Sequence, residues 1–150
     1  METQKITSLS ELSQFAGEVL STIKSKSSAQ VIGLQGDLGS GKTALTKEFA
    51  KVLGIEAEIT SPTFVVMKTY SVPKHEFIKT LVHIDAYRIE SDDEMKILHF
   101  DELLEDDVNL IIIEWPEQIE SLIPKDALRM NIEIKEGETR EFSLTGYGKN

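Results

Sequence analysis

The chain has 150 residues, of which 40% are hydrophobic and 28% are charged, a composition typical of one folded domain. It contains no cysteine, which excludes a disulfide scaffold and a cysteine-bound metal site, and no apolar run reaches the length of a membrane helix. Acidic residues outnumber basic residues by 26 to 16, and no cluster of lysines and arginines suited to holding nucleic acid is present. The first residues lack the apolar core of a signal peptide, so we expect a soluble, cytoplasmic domain with no membrane contact.

Two helices separated by a strand are predicted for the first third of the chain. Ser8 and Glu11 have the spacing of a capping box, and apolar residues recur behind them at helical spacing. Residues 31–34 form a short apolar run that predicts a buried strand. A second helical pattern covers residues 45–53, and a glycine follows it in the position that commonly ends a helix.

The rest of the chain is predicted to be mostly strand. Residues 108–113 are almost wholly apolar, as expected of a central strand that is covered on both faces. Apolar and polar side chains alternate in residues 128–134 and again in 142–144, on either side of a turn, which predicts an antiparallel hairpin. Two further strands are predicted at residues 64–70 and 80–86.

An acidic segment lies between the predicted strands at residues 80–86 and 108–113. Residues 90–107 contain nine acidic side chains and one basic side chain, Lys96, so the segment carries −8 of the net charge of −10. Its apolar residues predict one or two short helices. The acidic side chains form either a solvated helix face or a docking surface for a basic partner, and the sequence leaves both interpretations open.

A glycine-rich loop provides the most specific chemical signal. Residues 36–43, Gly-Asp-Leu-Gly-Ser-Gly-Lys-Thr, match the P-loop pattern G-x-x-x-x-G-K-[ST] between a predicted strand and a predicted helix. The glycines let successive amides turn toward phosphate oxygens, and the helix adds its positive N-terminus. We expect Lys42 to reach the β- and γ-phosphates of ATP and the Thr43 hydroxyl to bind Mg²⁺. The predicted ATP contacts are Gly36, Asp37, Leu38, Gly39, Ser40, Gly41, Lys42, Thr43 and Ala44.

Glu114 is the candidate for a second Mg²⁺ ligand. It directly follows the apolar strand, so it is expected at the carboxyl edge of the sheet, where α/β folds bind their ligands. The alternative is an ordinary solvent-facing carboxylate at a strand end. Trp115, the single tryptophan, either caps the hydrophobic core or lies near the nucleotide.

A loop of hydroxyl side chains follows the second helix. Thr60, Ser61 and Thr63 surround Pro62, whose ring stiffens the backbone. We interpret this loop as a switch that offers hydroxyls to Mg²⁺ or to the γ-phosphate. A plain turn before a strand is the alternative.

Asp85 is the candidate for the hydrolytic step. The segment 83–88 alternates, so His83, Asp85 and Tyr87 share one face of a predicted strand. Asp85 is either a general base or water-orienting residue, or a structural hydrogen-bond acceptor. Together with Lys42 and Glu114 it completes the predicted catalytic set.

Four segments taken together resemble one family, the bacterial tRNA threonylcarbamoyladenosine biosynthesis ATPases (TsaE, also called YjeE). They are, in order, Gly-Asp-Leu-Gly-Ser-Gly-Lys-Thr (36–43), Ser-Pro-Thr-Phe (61–64), His-Ile-Asp-Ala-Tyr-Arg (83–88) and Ile-Glu-Trp-Pro-Glu (113–117). The resemblance extends over essentially the whole chain. With the predicted elements, it implies one domain over residues 1–150 with a three-layer α/β P-loop NTPase fold. Its central sheet would be mixed and mostly parallel, with a C-terminal antiparallel hairpin.

The resemblance also implies a function. Members of this family bind and hydrolyse ATP with Mg²⁺, slowly without partners, in support of threonylcarbamoylation of adenosine 37 in tRNA (t6A). The transfer itself is carried out by a partner heterodimer of TsaB- and TsaD-like proteins, so contact with tRNA is expected only through those partners. By position, Ser10 and Glu11 correspond to a family segment beside the adenine.

Two other functions are compatible with a P-loop in a chain of this size. A small-molecule kinase would stabilise the transferring phosphoryl group with several arginines, whereas only Arg88 lies next to a site motif here. A nucleotide-bound adaptor that never hydrolyses ATP is the third possibility. A GTPase is disfavoured because the sequence has no Asn-Lys-x-Asp motif.

Overall fold

A mixed seven-stranded sheet with helices on both faces organises the protein in this computed structural model, which describes residues 2–145. The strands are β1 (Glu2–Ile6), β2 (Gln30–Gly36), β3 (Met67–Ser71), β4 (Thr80–Asp85), β5 (Asn109–Glu114), β6 (Leu128–Ile134) and β7 (Arg140–Thr145). The helices are α1 (Leu9–Ser21), α2 (Lys42–Val52), α3 (Asp93–Ile97) and α4 (Phe100–Glu105), with a 3₁₀ helix at Pro116–Leu122.

The strand order is β1-β7-β6-β2-β5-β4-β3. The central strands β6, β2, β5 and β4 are mutually parallel, whereas β3 pairs antiparallel with β4, β7 with β6, and β1 with β7. Five of the seven described strands therefore run in one direction, because β1, antiparallel to β7, has the direction of β6; β6 and β7 form the C-terminal hairpin. The predicted mixed, mostly parallel sheet with an antiparallel hairpin is confirmed.

The central strands separate two hydrophobic cores. In β5, Leu110 and Ile112 face the core under α1 and α2, whereas Ile111 and Ile113 face the core under α3, α4 and the 3₁₀ helix. All four side chains are fully buried, as expected of a strand covered on both faces. The fold therefore has three layers, as predicted.

The predicted strand at residues 64–70 starts later than expected. The Pro62 carbonyl accepts hydrogen bonds from the amides of Val65 and Val66, so these residues form a turn, and β3 begins only at Met67. Phe64 is 86% exposed, because a turn that projects from the sheet leaves its apolar side chain in solvent. Local β propensity was overridden here by the turn at Pro62.

The sequence pattern missed strand β1, and it also missed the 3₁₀ helix at Pro116–Leu122. The residues of β1, Glu-Thr-Gln-Lys-Ile, are mostly polar, and the strand pairs antiparallel with β7 at the edge of the sheet. An edge strand with little buried surface has no clear apolar period.

Among the helices of the described residues, none is long and apolar enough to cross a membrane.

Candidate functional site

The carboxyl ends of three parallel strands meet at one cavity. The register places Asp85, the last residue of β4, opposite Glu114, the last residue of β5, and the P-loop (residues 36–43) leaves the end of β2. A cavity of about 430 Å³ opens above them. Its walls come from the P-loop, the hydroxyl loop (residues 60–66) and the two strand ends, and comprise Leu38, Gly39, Gly41, Lys42, Thr43, Ala44, Ser61, Thr63, Asp85, Tyr87, Arg88, Glu114 and Trp115.

Glycines set the path of the P-loop. Gly39 and Gly41 have φ values of 79° and 114°, in the left-handed region that residues with a Cβ rarely adopt. At Gly36 the limit is space, since an added Cβ would lie 2.6 Å from Ser40 Oγ and 2.7 Å from the Ile132 carbonyl oxygen. The loop thus closes tightly against β6 and delivers the N-terminus of α2 to the cavity.

Lys42 is the first residue of α2 and is only 6% exposed. Its Nζ donates to the carbonyls of Gly36 and Asp37, the latter at 3.1 Å, and lies 4.0 Å from the ring centre of Trp115. Burial lowers the pKa of Lys42, and the nearby carboxylate of Glu114 opposes that shift. A largely buried ammonium group that is hydrogen-bonded to carbonyls is a favourable site for a phosphate anion.

Thr43 and Glu114 place two hard oxygen ligands side by side. Thr43 Oγ1 donates to the Glu114 carboxylate, at 3.1 Å from Oε1 and 2.9 Å from Oε2. A hydroxyl and a carboxylate fit Mg²⁺, which commonly takes few protein ligands and completes its shell with water and phosphate oxygens. Residues 2–145 contain no group of three or more His, Cys, Asp or Glu side chains that could hold a metal ion by themselves.

Asp85 is 5% exposed, and both of its carboxylate oxygens have partners. Thr63 Oγ1 donates to Oδ2 at 2.9 Å, and the Tyr87 amide donates to Oδ1 at 3.0 Å. Ser61 Oγ lies 2.6 Å from Thr63 Oγ1, which extends the chain of hydroxyls to the cavity wall. Asp85 thus anchors the hydroxyl loop to β4, and its side chain also lines the cavity.

Comparison with known proteins matches this chain to one family. The family model of the threonylcarbamoyl adenosine biosynthesis protein TsaE matches residues 6–142. The chain belongs to the TsaE family.

Named relatives and a solved structure agree with this assignment. The chain is 37% identical to the tRNA threonylcarbamoyladenosine biosynthesis protein TsaE of Bacillus subtilis, over 79% of this chain and 70% of that protein. It is 34% identical to the TsaE protein of Rickettsia bellii, over 90% and 88% of the two chains. The crystal structure of Bacillus subtilis YdiB superposes with a TM-score of 0.77 at 28% identity, covering 98% of this chain and 86% of that chain.

Most site residues predicted from the sequence of this TsaE family member lie together. The P-loop residues Lys42 and Thr43, the hydroxyls of Ser61 and Thr63, and the side chains of Asp85, Glu114 and Trp115 all line the first cavity. Of the three predicted switch hydroxyls, Thr60 is the exception. It is exposed, accepts a hydrogen bond from Lys68 and does not line this cavity.

Two wall residues of the cavity were not predicted as site residues. Tyr87 packs against Trp115 with ring centres 4.9 Å apart, and Arg88 extends over the ring of Phe64 at 5.2 Å. Both lie within three residues after Asp85, so their place in the motif at the end of β4 was the available signal. Trp115 lies in this aromatic wall and also packs against the hydrophobic core. A role in capping the core is therefore compatible with a position near a nucleotide in the cavity.

A second cavity of about 330 Å³ lies on the other side of the P-loop. Thr7, Ser8 and Leu9 line it together with Gly41 and Arg140. Ser10 and Glu11, the residues expected beside the adenine, belong to the same segment but are absent from its wall.

Glu11 instead caps helix α1. Its backbone amide donates to Ser8 Oγ at 3.2 Å, and its carboxylate accepts from the amide and the hydroxyl of Thr7 at 2.8 Å and 2.6 Å. The two hydrogen bonds from Thr7 lower the pKa of the Glu11 carboxyl group. The predicted capping box therefore forms with its return bond shifted by one residue, from Ser8 to Thr7.

Proposed function

We propose that the protein is the ATP-binding and ATP-hydrolysing subunit of t6A biosynthesis. In this role it acts in the cytoplasm with a TsaB- and TsaD-like heterodimer that transfers the threonylcarbamoyl group to adenosine 37 of tRNA. The observation that carries the proposal is the Thr43–Glu114 pair beside the Lys42 ammonium group, in one cavity at the start of α2. Membership of the TsaE family supplies the pathway.

Nucleotide binding follows from the groups around the first cavity. The amides of the P-loop and the N-terminus of α2 offer positive potential to the phosphates. Lys42 exchanges its hydrogen bonds to the carbonyls of Gly36 and Asp37 for phosphate oxygens. The second cavity begins at Gly41 and Ala44, next to the phosphate site, and offers the apolar surface of Leu9 and Leu12 to the base.

Thr43 and Glu114 would hold Mg²⁺. When bound, the ion neutralises charge on the β- and γ-phosphates and orients them for displacement. Glu114 contributes from the end of β5 and Thr43 from the first turn of α2, so the pair couples the sheet to the P-loop. The two residues accordingly govern metal-dependent nucleotide affinity.

Hydrolysis requires a water molecule placed in line with the γ-phosphate. Its oxygen forms the new bond to phosphorus, the bond to the β–γ bridging oxygen breaks, and the proton leaves with the phosphate product. Asp85 is the residue that would orient this water, because its carboxylate lies in the cavity wall beside Thr63. Lys42 stabilises the negative charge on the transferring group.

Contact with the partner heterodimer is proposed at the nucleotide edge. Phe64 of the hydroxyl loop is 86% exposed and Leu38 of the P-loop is 67% exposed, so both loops that surround the first cavity present apolar surface. The hydroxyl loop could then report the γ-phosphate to the partners, as in other phosphate switches. Strong acidity makes direct tRNA binding by this chain unfavourable.

The test of ATP hydrolysis compares wild type with Lys42→Ala, each alone and with the heterodimer. Loss of a buried point charge on the transferring group is expected to lower turnover by about 100-fold or more. Lys47→Ala, which removes an exposed lysine from the same helix, is the matched control and should turn over ATP normally. Wild-type turnover in Lys42→Ala would contradict the assignment, and nucleotide binding without any turnover would favour the adaptor.

The test of the partner contact measures heterodimer binding with an ATP analogue, with ADP and without nucleotide. Different affinities in the three states are expected if the hydroxyl loop reports the γ-phosphate, and equal affinities would contradict the switch. Changing Asp92, Asp93 and Glu94 to serine tests the acidic segment. If the native segment steers the partners, association at low salt should be slower for the serine variant than for the wild type. Unchanged association kinetics would identify the segment as a solvated helix face.

A further inference from the structure

The Glu114 carboxylate has a second partner that the nucleotide chemistry described above leaves unexplained. His83 Nε2 lies 2.6 Å from Glu114 Oε2, with His83 fully buried and Glu114 4% exposed. In the pairing of β4 with β5, His83 lies opposite Ile112, two residues before Glu114. Side chains two residues apart share a face of a strand, so His83 and Glu114 are diagonal neighbours on one face of the sheet.

Packing alone does not account for a histidine at this position. His83 Nδ1 is buried and has no hydrogen-bond partner among the described residues, which costs stability. Leu81, on the same face of β4, shows that a purely apolar side chain fits this layer of the core. The histidine is explained by the hydrogen bond that it makes to Glu114.

The Glu114 carboxylate is held from two directions. Thr43 Oγ1 approaches both oxygens from the start of α2, whereas His83 reaches only Oε2 from β4. Because a carboxylate oxygen accepts, we assign the proton to His83 Nε2. The terminal torsion of a glutamate is soft, so a donor at one oxygen is an effective way to fix the plane of the group.

We propose that His83 is a positioning residue for the metal ligand Glu114. By donating from Nε2 to Oε2, it fixes the carboxylate so that Oε1 stays beside the Thr43 hydroxyl, where Mg²⁺ would bind. This inference rests on the proposed function and deepens its metal site. Hydrogen bonds that orient metal-ligating side chains are a recurrent part of metal sites.

The variants separate the hydrogen bond from the packing. His83→Gln keeps an N–H donor at a reach similar to Nε2, whereas His83→Asn is shorter by one methylene group. His83→Leu removes the donor together with the unpartnered Nδ1 atom. Leu81→Ala damages the same face of β4 without touching Glu114 and is the control for a loss of packing.

The readout is the affinity for ADP in excess Mg²⁺ divided by the affinity in EDTA, measured on the full chain. Trp115 is the single tryptophan and lines the first cavity, so its fluorescence serves as the signal. We expect His83→Leu and His83→Asn to reduce this ratio by about tenfold or more while leaving the affinity in EDTA unchanged. His83→Gln should retain the ratio, and Leu81→Ala should lower Tm with the ratio intact.

Two results would overturn the inference and leave the proposed function standing. One is that His83→Leu and His83→Asn keep the wild-type ratio of ADP affinity in Mg²⁺ to that in EDTA, while Glu114→Gln reduces this ratio. The other is that Leu81→Ala reduces the ratio as much as His83→Leu does, which would assign the effect to packing. If His83→Leu does not fold, equal ratios in His83→Asn and His83→Gln overturn it. Failure of the wild-type chain to bind ADP would instead reject the proposed function, and this inference with it.

Discussion

Two loops bring groups to the same cavity, and they are built in opposite ways. The P-loop closes against β6 so tightly that Gly36 has no room for a side chain, and glycines take its left-handed positions. In the hydroxyl loop, a valine, Val66, has a φ of 70°, although β-branched residues strongly disfavour that region. Phe64, beside it, is 86% exposed.

The two loops also differ in how they are attached. Lys42 donates to the Gly36 and Asp37 carbonyls and so closes the P-loop on itself, and Thr43 bonds directly to Glu114 of β5. In the hydroxyl loop, Thr63 donates to Asp85 of β4, Thr60 accepts from Lys68 of β3, and the Val66 carbonyl accepts from the Asp85 amide. A loop with a strained residue and an exposed tip can change conformation at lower cost than a loop whose backbone is packed against the sheet. This difference fits the proposed roles, binding for the P-loop and switching for the hydroxyl loop.

Substitution of Gly36 by alanine should produce the largest effect on stability. The new methyl group would collide with the Ile132 carbonyl oxygen, which belongs to the backbone and cannot move aside. We expect a loss of about 3 kcal/mol in the free energy of unfolding and a loss of nucleotide binding. Urea denaturation measures the first and Trp115 fluorescence the second.

The control is Gly17→Ala in helix α1, where an added Cβ meets nothing within 4 Å. It should raise the free energy of unfolding by about 0.5–1 kcal/mol, since alanine favours a helix interior. A Gly36→Ala protein as stable as wild type would contradict the close packing of the P-loop against β6.

The anchors of the two loops should affect different steps. Asp85→Asn keeps an oxygen for the Tyr87 amide but removes the charge that would orient water, so ATP turnover should fall by about 100-fold with nucleotide affinity nearly unchanged. Glu114→Gln should instead weaken nucleotide binding in Mg²⁺. Calorimetry and steady-state turnover on both variants distinguish the steps. The reverse pattern would require the two roles to be exchanged.

Thr63→Val tests whether one hydrogen bond holds the hydroxyl loop. The substitution keeps the volume and removes the donor to Asp85, so local stability in residues 61–66 should fall by about 1.5 kcal/mol. Hydrogen exchange of the loop amides is the measurement. Thr60→Val, in the same loop but exposed and bonded to Lys68, should leave exchange of those amides unchanged. Equal exchange in both variants would mean that other contacts hold the loop.

The smallest expected effect concerns the backbone strain at Val66. A protein with glycine at a given position is usually less stable than one with alanine there. At a φ of 70° the order should reverse, because alanine has a steric penalty in this region that glycine lacks. Val66→Gly should therefore be more stable than Val66→Ala by about 1 kcal/mol. Thermal unfolding of the two variants provides the comparison, and a less stable glycine variant would argue against strain at this position.

The sequence by itself determined the parts of the site that depend on local patterns. The glycines of the P-loop set its backbone path, and the apolar run of β5 placed Glu114 at the carboxyl edge of the sheet. Both inferences needed only neighbouring residues and the rule that parallel strands end at a common edge. The fold class followed from the predicted strands and helices together with the resemblance of four motifs to one family.

Only the tertiary structure decided which distant residues meet. The bond from His83 to Glu114 depends on β4 lying next to β5, and the second cavity joins Thr7 to Arg140 across the pairing of β1 with β7. The positive φ of Val66 occurs where the turn at Pro62 leads into β3, and the Val66 carbonyl there accepts from the Asp85 amide of β4. Strand order and turn geometry are global properties of the packed chain, so no local pattern in the sequence encodes these contacts.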